Sequence, residues 1–63
     1  MELSTLELDA VYGKGRWEVY SDAMTGVVFD TYKDKVIKKF KGETAHMDAD
    51  RFAFDLYMKE QYA

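Results

Sequence analysis

The sequence contains no cysteine, no proline and a single histidine, His46. The lack of cysteine excludes a disulfide framework, and a structural zinc site, which needs several Cys or His ligands, is close to excluded. No apolar run approaches the roughly 20 residues that span a bilayer. Residues 1–4 show no basic segment leading into an apolar stretch, so they do not resemble a secretory signal. We therefore expect a cytoplasmic protein that is not bound to a membrane.

The 63 residues are enough for one small domain, which we place over residues 1–63. A domain of this size buries only about 60% of the surface that its unfolded chain exposes, so its stability is marginal. Hydrophobic residues make up 48% of the sequence and aromatic residues 16%. This composition is sufficient for a packed core, and self-association would add to the stability.

Three segments in the middle of the chain have the alternating or β-branched composition of strands. They are residues 16–20, 27–32 and 35–40. Thr44 is a suitable N-cap for a helix, and no helix breaker follows it up to the last residue. The pattern predicts a three-stranded antiparallel meander followed by one long helix.

The segment before the first of these strands fits two interpretations. Ser4–Glu7 has the spacing of a capping box, and Leu3 with Leu8 fits the hydrophobic staple that accompanies one, which favours a short helix over residues 5–12. Every second residue from 6 to 12 is also apolar, as in a strand that returns through a glycine turn. We prefer the helix, because two local helix signals coincide.

The predicted fold class is therefore α+β, with a C-terminal helix packed on one face of an antiparallel sheet. The sheet has three strands, or four if residues 6–12 form a strand. The apolar stripe of the helix and the alternation of the strands together predict the core. Its members are Trp17, Val19, Val27, Phe29, Phe40, Ala49, Phe52, Ala53 and Leu56.

Side chains that carry catalytic or metal chemistry are isolated along the sequence. His46 has no nucleophile and no orienting carboxylate at a suitable spacing, and we expect it to be a solvated surface residue. Asp48, Arg51 and Asp55 have the spacing of ordinary ion pairs on a helix surface. The Gly13–Gly15 segment lacks the glycine spacing and the Lys-Ser/Thr pair of a phosphate-binding loop. We expect no enzymatic activity, no metal, no cofactor and no small-molecule substrate.

A second apolar stripe on the helix is the leading candidate for a binding site. Met47, Phe54 and Met58, extended by Tyr57, lie nearly opposite the stripe that packs on the sheet. Methionine is adaptable and frequent at binding surfaces, and contiguous apolar area usually marks an interface. The alternative is that the N-terminal segment covers this stripe. The sequence predicts a protein-interaction module, a small adaptor or inhibitor, that forms a homo-oligomer or binds a protein partner through these residues.

The alternative function is weak nucleic-acid binding through the outer face of the sheet. Residues 13–42 carry seven Lys and Arg against four Asp and Glu, whereas the segments on either side are acidic. The residues that would contact phosphates and bases are Arg16, Tyr20, Tyr32, Lys35, Lys39 and Lys41. Glu18 and Asp30 lie among them, and the net charge of the chain is −3. Lysines on an edge strand also have a simpler role, because they prevent edge-to-edge aggregation.

The order of these features resembles two families of nucleic-acid-binding modules. Gly15 to Tyr20, the Thr25-Gly26 turn and the alanine-rich helix around Phe52 are similar in layout to AP2-type and phage-integrase arm-binding domains. That resemblance implies a sheet that lies in the major groove of DNA, although Glu18 and Asp30 stand where those modules place basic residues. With an N-terminal helix, the order would also resemble double-stranded-RNA-binding domains, whose lysine pair at the start of the last helix is replaced here by residues 46–48.

Overall fold

A computed structural model describes residues 5–62. The elements are β1 (Glu7–Tyr12), β2 (Trp17–Ser21), β3 (Thr25–Asp30), β4 (Lys35–Lys41) and α1 (Ala45–Tyr62). The four strands form one antiparallel sheet in the order β1-β2-β3-β4, and α1 packs across one face of it. The α+β class and the C-terminal helix on the sheet are confirmed, and α1 begins directly after the predicted N-cap, Thr44.

The N-terminal part of the described chain is a strand, so the preferred prediction of three strands and a helix over residues 5–12 is wrong. The structure has the four-stranded sheet that was the alternative. Ser4 and Leu3, on which the helix signals depended, lie outside the described residues. The described elements run β-β-β-β-α, which differs from the order of double-stranded-RNA-binding domains, where a helix precedes the sheet.

Long-range contacts explain why residues 7–12 form a strand. The turn at residues 13–15 has φ angles of 66°, 58° and 99°, a left-handed path that two glycines allow at little cost, and it returns the chain antiparallel to β1. The Tyr12 hydroxyl then donates a hydrogen bond to Asp50 Oδ1 of α1 at 2.7 Å. An isolated helix of this length is unstable in water. Capping residues would stabilise it by less than the hydrogen bonds to β2 and the Tyr12–Asp50 contact stabilise the strand.

The core lies between α1 and the face of the sheet turned toward it, which we call the inner face. The alanines of α1 at positions 45, 49 and 53 are fully buried, and with Trp17, Val19 and Val28 they fill the centre. Half-buried side chains surround this centre: Ala10, Tyr12, Ile37, Phe40, Phe52, Leu56 and Tyr57. Because the helix presents only methyl groups, its backbone approaches the sheet closely. A Cβ atom added at Gly26 would lie 2.7 Å from the carbonyl carbon of Ala45.

The predicted core is correct for β2 and the helix, and Val27 is fully buried as predicted, but the side of β3 that faces the helix was predicted wrongly. Val19 pairs directly with Val28, and Ser21 with Gly26, so Gly26, Val28 and Asp30 share the inner face. Val27 and Phe29, which we expected in the core, therefore point to the opposite side, the outer face. The close approach at Gly26 fixes this phase, because only a residue without a side chain fits under Ala45.

Each edge strand contains one irregularity. The pairing of β1 with β2 shifts between Leu8 and Ala10, and the pairing of β4 with β3 shifts between Val28 and Phe29. Asp9 and Ile37 are the extra residues, as in β-bulges. Both are turned to the helix side, since the Ser21 hydroxyl donates a hydrogen bond to Asp9 and Ile37 packs on the core.

Candidate functional site

The outer face of the sheet carries two complete rows of side chains. Residues paired directly across the strands share a face, so the register defines each row. The first row consists of Leu8, Tyr20, Val27 and Lys39, and the second of Val11, Glu18, Phe29 and Val36. Thr25 and Lys41 add a partial third row. Six of the eight residues in the complete rows are apolar or aromatic, and α1 lies on the other side of the sheet.

The more hydrophobic side of β3 thus faces away from α1, where Val27 is nevertheless fully buried and Phe29 is half-buried. Its inner residues are Gly26, Val28 and Asp30, whereas its outer residues include Val27 and Phe29. At the β1 end of the outer face, Leu8 is 53% exposed and Val11 is 46% exposed. Scattered exposed apolar residues are normal, but a contiguous set usually marks an interface.

The charged groups of the outer face are separated across its width. Glu18 lies on β2, and Lys39 and Lys41 lie on the edge strand β4. The Tyr20 hydroxyl donates a hydrogen bond to Glu18 Oε1 at 2.7 Å. That bond, followed by partial burial and the nearby negative charge, raises the pKa of Tyr20 above 10.0. The hydrogen bond from Tyr20 therefore holds the Glu18 carboxylate over β2, away from Lys39 and Lys41 on β4.

Arg16, predicted to contact nucleic acid, is engaged on the helix side of the molecule. Its Cζ atom lies 4.7 Å from the ring centroid of Trp17 and 4.7 Å from that of Tyr32. Its guanidinium donates to Glu60 at 2.8 Å and approaches Asp30 at 3.5 Å. Such a cation held between two rings and two carboxylates fastens the β1–β2 hairpin to the end of α1.

Asp30 is the most deeply buried charged residue within residues 5–62, with 2% of its surface exposed. Burial alone would raise the pKa of its carboxyl group. The backbone amides of Lys33 and Tyr32, which donate hydrogen bonds to it, and the Arg16 guanidinium outweigh this effect, so the pKa lies below 3.8. Asp30 was expected on the outer face among the basic residues. The structure instead gives it a structural role, because it holds the β3–β4 turn.

Of the six residues predicted for nucleic-acid contact, the structure brings three together on the outer face: Tyr20, Lys39 and Lys41. Lys35 pairs with Asp30 and belongs to an inner row, because the bulge at Ile37 reverses the alternation along β4. Tyr32 is 72% exposed but lies over Arg16, on the helix side. The predicted outer placement of Arg16, Tyr32, Lys35 and Ile37 is therefore wrong.

The predicted helix stripe is only partly open. Met47 is 59% exposed and Phe54 is 42% exposed, whereas Tyr57 and Met58 are half-buried. The Phe54 ring contacts Tyr12 edge-on, with centroids 5.7 Å apart. Strand β1 thus covers the C-terminal part of the stripe, as the alternative interpretation of this stripe held, and leaves Met47 and part of Phe54 accessible.

The remaining candidates for chemistry are the single histidine, a cleft and the acidic side chains. His46 is exposed, as expected. A cleft of about 560 Å³ lies between the β1–β2 turn and the end of α1, with Tyr12, Lys14, Tyr32, Tyr57 and Glu60 among its lining residues. Among residues 5–62, no group of three or more His, Cys, Asp or Glu side chains is placed to hold a metal ion. No helix formed by this part of the chain is long and apolar enough to cross a membrane.

The outer face includes residues that sequence reasoning missed as site candidates. They are Leu8, Val11, Val27, Phe29 and Val36. One signal could have found them: Gly26 lies in the same alternation phase as Val28, and a glycine within a strand often marks the face that another backbone approaches. Comparison with protein-family models, with curated proteins and with solved structures gives no match. The surfaces are therefore interpreted from their own residues.

Proposed function

We propose that the chain is a non-enzymatic protein-interaction module, a small adaptor or inhibitor that self-associates or binds a protein partner. The observation that supports this most strongly is the polarity of β3, whose more apolar side faces away from α1. A fold that needed only to be a stable monomer would pack both Val27 and Phe29 against the helix, whereas here they lie on the outer face, with Val27 fully buried and Phe29 half-buried. The cytoplasm is the compartment we propose, since the fold uses no disulfide.

Two surfaces compete for this role. The outer face offers apolar side chains from all four strands, including Leu8, Tyr20 and Phe29. The helix stripe, the leading candidate from the sequence, offers Met47 and part of Phe54, with Tyr57 and Met58 adding half-buried area. We favour the outer face because it is continuous, and we keep the helix stripe as a second interface.

Site-specific photo-crosslinking tests the proposal. A photoreactive amino acid replaces Leu8 on the outer face, Met47 on the helix stripe or Lys59 as an exposed control, and the protein is irradiated alone and in an extract of cells that express it. We expect protein adducts from position 8, fewer from position 47 and none from position 59. Equal yields at all three positions would contradict a specific interaction surface.

Nucleic-acid binding is a second candidate, favoured by the joint presence of Tyr20, Phe29, Lys39 and Lys41 on the outer face. Aromatic rings can stack on bases, and lysines neutralise phosphates. Two phosphate contacts should weaken binding about tenfold between 50 and 200 mM salt. Fluorescence anisotropy with short DNA and RNA would show this loss, and Lys39→Glu should abolish binding whereas Lys59→Glu should not. No binding at 50 mM salt would eliminate this candidate.

A further inference from the structure

We infer that β1 is a movable cover for the helix stripe. In this inference β1 detaches from α1 as a unit, while β2, β3, β4 and α1 stay packed on one another. Detachment exposes the part of the stripe that β1 now covers. The inference rests on the proposed function, because the stripe is one of its two interfaces, and it adds how access to that interface is regulated.

Strand β1 is held to the core by a small apolar surface. None of its six residues is fully buried, and only Ala10 and Tyr12 pack on the buried cluster. Three of the five residues of β2 and four of the six of β3 are buried. The pairing of β1 with β2 is also interrupted at Asp9. Segments with few buried apolar contacts open at a lower free energy than the domain as a whole.

Tyr12 is the residue that fastens β1 to the helix. Its hydroxyl donates a hydrogen bond to Asp50 Oδ1 at 2.7 Å. Its ring lies against two members of the helix stripe, with centroid distances of 5.7 Å to Phe54 and 6.2 Å to Tyr57. Because both rings contact Tyr12, its departure uncovers them together. With the exposed Met47 they then form a longer apolar row along α1.

A hinge for this movement lies in the turn between β1 and β2. Gly13, Lys14 and Gly15 have φ angles of 66°, 58° and 99°, and glycines absorb changes in backbone dihedral angles at little cost. The chain after the turn is held in place by Thr31. The Thr31 hydroxyl donates to the carbonyl oxygens of Gly15 at 2.8 Å and Arg16 at 2.9 Å, and its amide donates to that of Arg16 at 2.7 Å. Strand β1 can therefore move about the turn while β2 keeps its position.

The other edge strand, β4, is fixed more firmly. Asp30 holds the turn before it, and the amide of Gly42, directly after it, donates to the carbonyl oxygen of Met24 at 2.8 Å. Phe40 also packs on Phe52 of α1, with ring centroids 6.0 Å apart. Because β4 is held at both ends and by this ring contact, we expect it to open only with the whole domain.

Native-state hydrogen exchange of the full chain tests whether β1 opens alone. We expect the β1 amides that are bonded to β2 to be protected at least about tenfold less than the bonded amides of β3 and β4. Phe52→Leu should accelerate exchange in β3 about 3–10-fold and leave β1 within about twofold, because Phe52 stays packed when only β1 opens. Equal protection of the strands, or equal acceleration by Phe52→Leu, would show that β1 opens only by global unfolding and would overturn the inference.

Tyr12→Phe and Tyr20→Phe are a matched pair of variants. Each removes a hydroxyl group that donates to a carboxylate at 2.7 Å, but the Tyr12 bond joins β1 to α1, whereas the Tyr20 bond stays within β2. Tyr12→Phe should accelerate exchange in β1 about tenfold, and Tyr20→Phe should change it less than about twofold. Equal effects of the two variants would overturn the inference.

Photo-crosslinking from position 47 tests access to the stripe. In the cell extract, Tyr12→Phe should raise the yield of protein adducts from this position at least about threefold, because more molecules are open, and Tyr20→Phe should not. An unchanged yield in Tyr12→Phe would overturn the inference, while adducts from position 8 would still support the proposed function. If neither position gives adducts, both fail.

Discussion

Replacing Gly26 with alanine would place a methyl group where the backbone of α1 already lies. The new carbon would be 2.7 Å from the carbonyl carbon of Ala45 and closer still to its oxygen, and 3.0 Å from Ala49 Cβ. Carbon atoms pack best at about 3.5–4.0 Å. The helix would therefore have to retreat from the sheet by about 1 Å, because its backbone cannot rotate out of the way as a flexible side chain would.

The free-energy cost follows from this displacement. A gap of about 1 Å forfeits a quarter to a half of each dispersion contact across the interface, and the fully buried alanines at 45 and 49 depend on those contacts. Overpacking of a close-packed core costs about 1–3 kcal/mol, and we expect the upper end because the obstacle is main chain. The substitution itself would gain about 0.4–1 kcal/mol by restricting the unfolded chain. The expected net destabilisation is about 2 kcal/mol.

Urea denaturation monitored by the fluorescence of Trp17, which is buried in the core, would measure this loss. A slope of about 1 kcal/mol per molar urea converts it into a midpoint lower by about 2 M. A domain of this length has a total stability of about 3–9 kcal/mol, so the change is easily detected.

The double variant Gly26→Ala/Ala49→Gly is the control, because it removes the contact at 3.0 Å but leaves the Ala45 backbone in place. We expect no rescue from it. A Gly26→Ala protein as stable as the original, or more stable, would refute the close approach of helix and sheet.

Two further predictions concern the core and its buried charge. Asp30 has a lowered pKa in the folded state, so its contribution to stability is complete above about pH 3.8 and is lost as the pH falls through the lower folded pKa. The urea midpoint of Asp30→Asn should therefore be below that of the original protein at pH 7, and the difference should shrink on acidification; a constant difference would contradict the assignment. Phe52→Ala should cost about 2–3 kcal/mol, less than for a fully buried ring, because Phe52 is half-buried against Phe40 with ring centroids 6.0 Å apart. An unchanged thermal midpoint for this variant would show that the ring does not belong to the core.

The helix and the first predicted strand could be predicted from the sequence because their residue patterns are unambiguous. Trp17 and Val19 alternate with polar neighbours, so only one phase of β2 can be buried. The helix has an N-cap and an uninterrupted alanine stripe whose 3.6-residue period defines its buried side. In both cases the local pattern and the tertiary packing favour the same structure.

The phase of β3 could not be obtained in the same way. Val27, Val28 and Phe29 are consecutive apolar residues, so alternation does not show which side of β3 faces the helix. Total hydrophobicity favours the side with Val27 and Phe29, which is the wrong one. The orientation of β3 is decided by the fit of Gly26 beneath the helix backbone, a contact between segments that are distant in sequence. The outer face was mispredicted for this reason, and the bulge at Ile37 added a second error by moving Lys35 to the inner side.

The two bulges have a consequence for how the molecule assembles. A sheet with regular edges can add further strands without limit, and this is the usual route to fibrous aggregates. Here β1 is interrupted at Asp9 and β4 at Ile37, and β4 also carries four lysines, so neither edge offers a regular template to an incoming strand. Growth by strand addition is therefore blocked on both sides.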